Sequence, residues 1–210
     1  ARGFMLRRLH RPQDAATVIS DVTERYIAGG SRKLIRKTLI PREAARGIVE
    51  RIQEGARGLD FILSGRAGSG KSGCIIEICQ DLKAMGIPVL AFRLDRIPPV
   101  TTSVELGHQL GLEESPALIL STAATGAVAV LIIDQLDAVS TTSGRNTGYL
   151  DAIEDLLDER RGLRDKLKLH VILVCRTFDW QNDHRLRRML AGSHEKFEAT
   201  VFLLDEVSSI

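Results

Sequence analysis

The chain has 210 residues, 44% of them apolar, and a formal net charge of +2. That length suits one medium domain with a sizeable core, or one domain carrying a small helical appendage, and so small a charge gives no argument for a nucleic-acid partner. No apolar run approaches bilayer length, so no membrane contact is expected, and the basic opening ARGFMLRRLHRPQD lacks the apolar stretch of an export signal.

Cys74, Cys79 and Cys175 lie in apolar surroundings without zinc-site spacing, as expected of reduced thiols in a cytoplasmic protein. Because the first residue is not methionine, the chain is expected to be a piece of a longer one.

Residues 1–37 read as a basic tail followed by a helical segment, and residues 38–210 as the core. Ala15, Val18, Ile19, Val22 and Ile27, with Tyr26 alongside, mark one face of a helix over Asp14–Ile27, which Gly29 and Gly30 are expected to end. Pro41 suits a first helical position, and Ala44, Ile48 and Ile52 make the stripe of the helix that follows. Leu39, Ile40 and Pro41 serve either as a wall for a nucleotide base or as plain core packing.

The stretch LDFILSGRAGSGKSGC, Leu59 to Cys74, combines an apolar run, a glycine-rich turn and a helix start. Gly65 to Ser72 fits G-x-x-x-x-G-K-[ST] throughout. Glycines at 65, 68 and 70 let the turn curl until successive N–H groups converge on an anion, and the helix dipole adds to the attraction. Gly65, Arg66, Ala67, Gly68, Ser69, Gly70, Lys71, Ser72 and Gly73 are therefore the expected phosphate cradle. Within it Lys71 is aimed at the β- and γ-phosphates, and the Ser72 hydroxyl is a magnesium ligand.

Downstream, Ile75, Ile76, Ile78 and Leu82 bury one side of a helix that Gly86 stops, and VLAFRL is a second strand. VELGHQLG and SPALILSTAATG are short helices, and AVAVLIID is the most apolar segment and the expected central strand. Ser140–Gly148 is a polar loop, YLDAIEDLLDERRG a helix and LKLHVILVC a strand. TFDWQNDHRLRRMLAG is a turn and a basic helix, and VFLLDEV a last strand. Strands alternating with helices imply an α/β protein with a parallel sheet between helical layers.

Asp134 closes the central strand, which puts its carboxylate at the carboxyl edge of the sheet, where it is the expected metal ligand beside Ser72. Asp137 either orients or deprotonates the attacking water, or merely caps the next turn. Arg176 follows the strand HVILVC. If that strand lies between the phosphate-turn strand and the Asp134 strand, its guanidinium faces a γ-phosphate; otherwise it pairs with Asp179 or Asp183.

GRAGSGKS, LIIDQLDAV and VILVCRTFD, in this order, resemble the nucleotide-binding domain of STAND ATPases, the signal-transduction branch that includes NACHT proteins and is related to AAA proteins. The D-x-x-D form at Asp134 and Asp137 is similar to the NACHT version, Arg176 matches the sensor position, and IPRE at Ile40–Glu43 is similar to the G-R-E segment of related ATPases, with Pro41 in place of glycine. The resemblance implies a three-layer P-loop NTPase of the ASCE type, with ATP and Mg2+ as cofactors. It also implies that Lys71, Asp134, Asp137 and Arg176 are the catalytic set. Gln135 stands where many ATPases carry the catalytic glutamate, which leaves the base open and implies slow turnover.

A bacterial multidomain parent is implied as well, whose ATP-bound form self-assembles and contacts its other domains in signalling or defence. The alternative is an AAA+ motor or loader acting on nucleic acid; a small-molecule kinase would need a lid that Val104–Gly126 does not offer. Arg145 is a remote arginine-finger candidate. Arg185, Arg187 and Arg188 form a basic stripe that is either a solvated face or a contact for a neighbouring subunit or nucleic acid.

Overall fold

A computed structural model describes residues 12–31, 42–55, 58–124, 127–138, 148–163, 167–189 and 194–199. Five strands, β1 (Asp60–Gly65), β2 (Val89–Arg93), β3 (Val128–Asp134), β4 (Lys168–Arg176) and β5 (His194–Glu198), form one sheet in the order β2-β3-β4-β1-β5. All neighbouring strands run parallel. The strand HVILVC thus lies between the strand of the glycine-rich turn and that of Asp134.

The inner strands are buried on both faces, which is why their sequences are continuous apolar runs and do not alternate. In β3, Leu131 and Ile133 join the core on one face, Val130 and Ile132 that on the other. The first face carries α4 (Ser103–Leu110), α5 (Pro116–Ala123) and α6 (Gly148–Gly162), and the second α2 (Glu43–Glu54) and α3 (Lys71–Ala84). Layers of helix, sheet and helix agree with the sequence expectation. After β4 a short helix, α7 (Thr177–Asn182), stands where a turn was expected, and the expected basic helix is α8 (His184–Met189). Trp180 on α7 is buried in the core.

The long first helix, α1 (Pro12–Ser31), runs through Gly29 and Gly30 instead of ending there. Ala15, Ile19 and Val22 enter one core and Tyr26 the other, so α1 wraps the outer edge of β2. Thr23 makes that edge contact specific: its hydroxyl donates to the Val89 carbonyl at 2.6 Å and accepts from the Ala91 N–H at 3.2 Å. An edge strand has unpaired backbone groups, and a hydroxyl from a covering helix satisfies them without a further strand. The division after residue 37 lies outside the described residues.

On the opposite edge β5 comprises HEKFE, earlier than the VFLLDEV strand expected from the sequence; residues 201–207 lie outside the described residues. At the amino-terminal end of the sheet, His170 Nδ1 accepts the Leu59 N–H at 3.1 Å and its ring stacks on Phe61. Arg160 of α6 closes the same end, reaching Asp60 at 3.1 Å and the carbonyls of Gly58 and Leu169.

Candidate functional site

The turn between β1 and α3 has the backbone its glycines predict. Gly68 and Gly70 have φ of 80° and 86°, in the left-handed region that glycine enters without cost. Gly70 is also the residue before α3, and no side chain caps the helix there, so the first N–H groups of α3 face the turn. At Gly65 a Cβ would stand 2.4 Å from the Ser69 hydroxyl oxygen. Lys71 is nearly buried, and its Nζ donates to the Gly65 and Arg66 carbonyls at 2.8 Å each. Burial lowers the Lys71 ammonium below its usual range, opposed by the charges of Asp137 and then Asp134. Ser72 is half-buried on the first turn of α3, while Arg66, Ala67 and Gly68 are exposed.

One residue at this turn escaped the sequence reading. Arg42, the residue before α2, spreads its guanidinium over the start of α3, where a Cβ on Gly73 would lie 2.8 Å from it and one on Gly70 3.0 Å. Its backbone N–H donates to the Glu77 carboxylate at 3.1 Å, which ties the start of α2 to α3. The IPRE segment was the available signal, but its similarity to the G-R-E segment of related ATPases did not single out Arg42 as a neighbour of the phosphate turn. Leu39, Ile40 and Pro41 lie outside the described residues, as does Arg145.

At the end of β3, Asp134 is 1% exposed and both its oxygens are engaged. Oδ1 accepts the Gln135 N–H at 2.8 Å, and Oδ2 accepts the Tyr26 hydroxyl at 2.9 Å. Gln135 makes its bond with φ of 62°, a left-handed conformation that costs a non-glycine residue about 1 kcal/mol or more. Burial holds the Asp134 carboxyl above its usual range despite these donors.

Asp137 follows in a 3-10 turn, Leu136–Ala138, and is 2% exposed. Its Oδ2 lies 3.2 Å from Arg176 Nε, while Oδ1 is buried with no hydrogen-bond partner among the described residues. Burial raises the Asp137 carboxyl, with Arg176 as the main opposing influence. The ion pair that Arg176 makes is thus with Asp137, and its side chain is about half exposed.

Register explains how these groups meet. Gly65 stands opposite Arg176 across β1 and β4, and Ile133 stands opposite Leu173 across β3 and β4. The carboxyl ends of β1, β4 and β3 thus bring the turn, Arg176, Asp134 and Asp137 to one rim of the sheet. Tyr26 was visible in the sequence only as a member of an amphipathic face; nothing in the spacing of α1 foretold contact with a residue 108 positions away.

The remaining candidates are elsewhere or inert. Cys74, Cys79 and Cys175 are buried free thiols, each pushed up to about 12 chiefly by burial. Arg185 pairs with Asp151 at 3.5 Å, and Arg187 and Arg188 are exposed. Among the described residues no helix is long and apolar enough to cross a membrane.

Residues 61–198 match the model of AAA, the ATPase family associated with various cellular activities, which is more than half of the chain, so the chain belongs to that family. It is an ATPase domain of the P-loop kind. No curated protein sequence matches it.

Among solved structures it is similar to the ORC1 protein of Aeropyrum pernix in complex with DNA, with a TM-score of 0.54, 12% identity, and 82% of this chain and 49% of that one covered. It is also similar to Rif2 in complex with the C-terminal domain of Rap1, with a TM-score of 0.52, 10% identity, and 96% and 65% covered. A third is Drosophila ORC bound to poly(dA/dT) DNA and Cdc6, with a TM-score of 0.51, 12% identity, and 96% and 35% covered. The chain spans less than two thirds of each of these, and at such identities the likeness is one of fold.

Proposed function

We propose that this chain is the ATP- and magnesium-binding core of a nucleotide-dependent switch that hydrolyses ATP slowly and works on nucleic acid as part of a larger, self-assembling protein. The observation that carries this is the meeting of Lys71, Asp134, Asp137 and Arg176 at adjacent carboxyl ends of parallel strands, with the uncapped start of α3 beside them. The residues present fit both ligands. A Cβ on Gly65 would meet the Ser69 hydroxyl and the Ala199 carbonyl, and one on Gly73 the Arg42 guanidinium, so the packing around the turn calls for glycine at both, and the N–H groups at the start of α3 are left to an anion. Hydroxyl and carboxylate oxygens, from Ser72 and Asp134, are the hard donors magnesium takes.

In this proposal the N–H groups from Gly65 to Gly73 cradle the phosphates, and Lys71 exchanges its two carbonyl partners for the terminal phosphate oxygens. Ser72 and Asp134 would hold magnesium, which supplies neutralisation of phosphate charge. Arg176, half exposed and tied to Asp137 at 3.2 Å, can reach toward a γ-phosphate, and the two residues then act as one reader of nucleotide state. Asp137, freed from the arginine, has a carboxylate to orient and deprotonate the attacking water; the Gln135 amide can accept a hydrogen bond from water but is no base at neutral pH.

The nucleic-acid setting is supported by the fold likeness to ORC1 and ORC structures determined with DNA. A second reading, a cytoplasmic signalling or defence switch of the STAND or NACHT kind, is supported by the D-x-x-D pattern at Asp134 and Asp137. Phosphate release measured with and without duplex and single-stranded DNA separates them. Stimulation by DNA is the expected result, and a rate indifferent to DNA together with ATP-driven self-assembly would favour the second reading. Absence of ATP binding by the folded protein would overturn both.

A further inference from the structure

Taking Asp134 as the magnesium carboxylate, as proposed above, we infer that Tyr26 is its positioning residue: a hydroxyl delivered by α1 fixes the orientation in which Asp134 meets the metal. Each oxygen of Asp134 accepts one protein donor, Oδ1 from Gln135 N–H at 2.8 Å and Oδ2 from Tyr26 at 2.9 Å. Two donors on opposite oxygens stop the carboxylate plane from turning, and each oxygen keeps a lone pair for the metal or its water.

The aim of the tyrosine is itself built in. Thr23 lies three residues earlier on the same face of α1, and its two bonds to β2 set where the helix lies along that strand. Arg93 stands opposite Asp134 in the register of β2 and β3, but its guanidinium is committed to Asp95 at 2.8 Å. Without the Tyr26 hydroxyl, Oδ2 of a nearly fully buried carboxylate loses the only hydrogen bond shown for it among the described residues. The carboxylate would then rotate to find another donor.

The test is the magnesium dependence of ATP binding, followed by calorimetry on the whole chain. Tyr26→Phe keeps the ring and is expected to raise the magnesium concentration at half-maximal binding about tenfold, at the low end of what loss of a ligand's hydrogen-bonding partner costs in metal affinity. Its affinity for ATP in chelator is expected to match the parent. Thr23→Val loosens α1 without touching Asp134 and is expected to lower the melting temperature while leaving the magnesium midpoint where it was.

A Tyr26→Phe midpoint equal to the parent's, or a Thr23→Val shift as large, overturns the inference. Asp134→Ala keeps the two failures apart. If it retains the parent's magnesium dependence, the metal assignment itself falls; if it loses that dependence while Tyr26→Phe does not move, only the role of Tyr26 falls. Should the phenylalanine variant not fold, Tyr149→Phe leaves Tyr26 as the lone tyrosine of the two in the chain. An ultraviolet difference band on adding magnesium to its ATP complex is then expected, and no band overturns the inference.

Discussion

The turn between β1 and α3 and the carboxylate edge at the end of β3 lie on the same rim of the sheet, yet they are assembled from different materials. The turn is shaped by main chain over a short stretch: left-handed glycines, helix N–H groups and carbonyls that hold Lys71. The edge is shaped by side chains drawn from far along the sequence, Tyr26 from α1 and Arg176 from β4, each closing on a buried aspartate. A backbone device is written in consecutive letters and tolerates little change at its glycines. A side-chain device depends on how separate elements pack, and one partner can be exchanged without erasing the strand that carries the other.

That contrast breaks first if the turn does not bind phosphate. Lys71→Ala is expected to cut ATP affinity on the order of a thousandfold, because two charge-assisted bonds to the terminal phosphates are lost together. Calorimetry giving parental affinity would end the comparison, since the turn would then have no ligand to hold.

The next test concerns the seam between the two halves. His170 on β4 takes the Leu59 N–H just ahead of β1, and burial, with Arg160 and Lys168 nearby, pushes its imidazole down to about 4 from an ordinary 6.5. Its folded value is depressed, so the neutral ring contributes fully above pH 6.5, and stability falls as pH drops from there toward 4. The whole loss is about 3 kcal/mol. Chemical denaturation at stepped pH should show this increment in the parent and not in His170→Gln. An identical slope in both would mean that the seam titrates through other groups.

The smallest effect belongs to Arg176→Ala. The parent is expected to prefer ATP over ADP, and the variant to lose roughly tenfold of that preference, as one guanidinium–phosphate contact allows. Competition binding with the two nucleotides measures it. Equal preference in parent and variant would leave Arg176 as a partner of Asp137 and nothing more.

How far the sequence foretold all this follows the same division. Apolar runs in β1, β3 and β4 announced buried parallel strands, and GRAGSGKS announced the turn, because each is a local pattern with a local cause. HEKFE did not announce β5: an edge strand with one covered face carries too few apolar residues to stand out, and the more apolar VFLLDEV drew the expectation instead. The amphipathic face of α1 was legible, but its destination was not. Which edge a helix covers depends on strand order, and strand order emerges only when the sheet is assembled. Arg42 and Tyr26 are both residues of that second kind.

Gln135 carries a consequence for how this enzyme could change. The bend that lets its N–H secure Asp134 is one that glycine and asparagine adopt readily and that branched residues resist. Glutamate, the residue many related ATPases carry here, is unbranched like glutamine and would keep the same bend without new strain. Valine or isoleucine there would instead unseat the neighbouring carboxylate, and the path of adaptation through this position is correspondingly narrow.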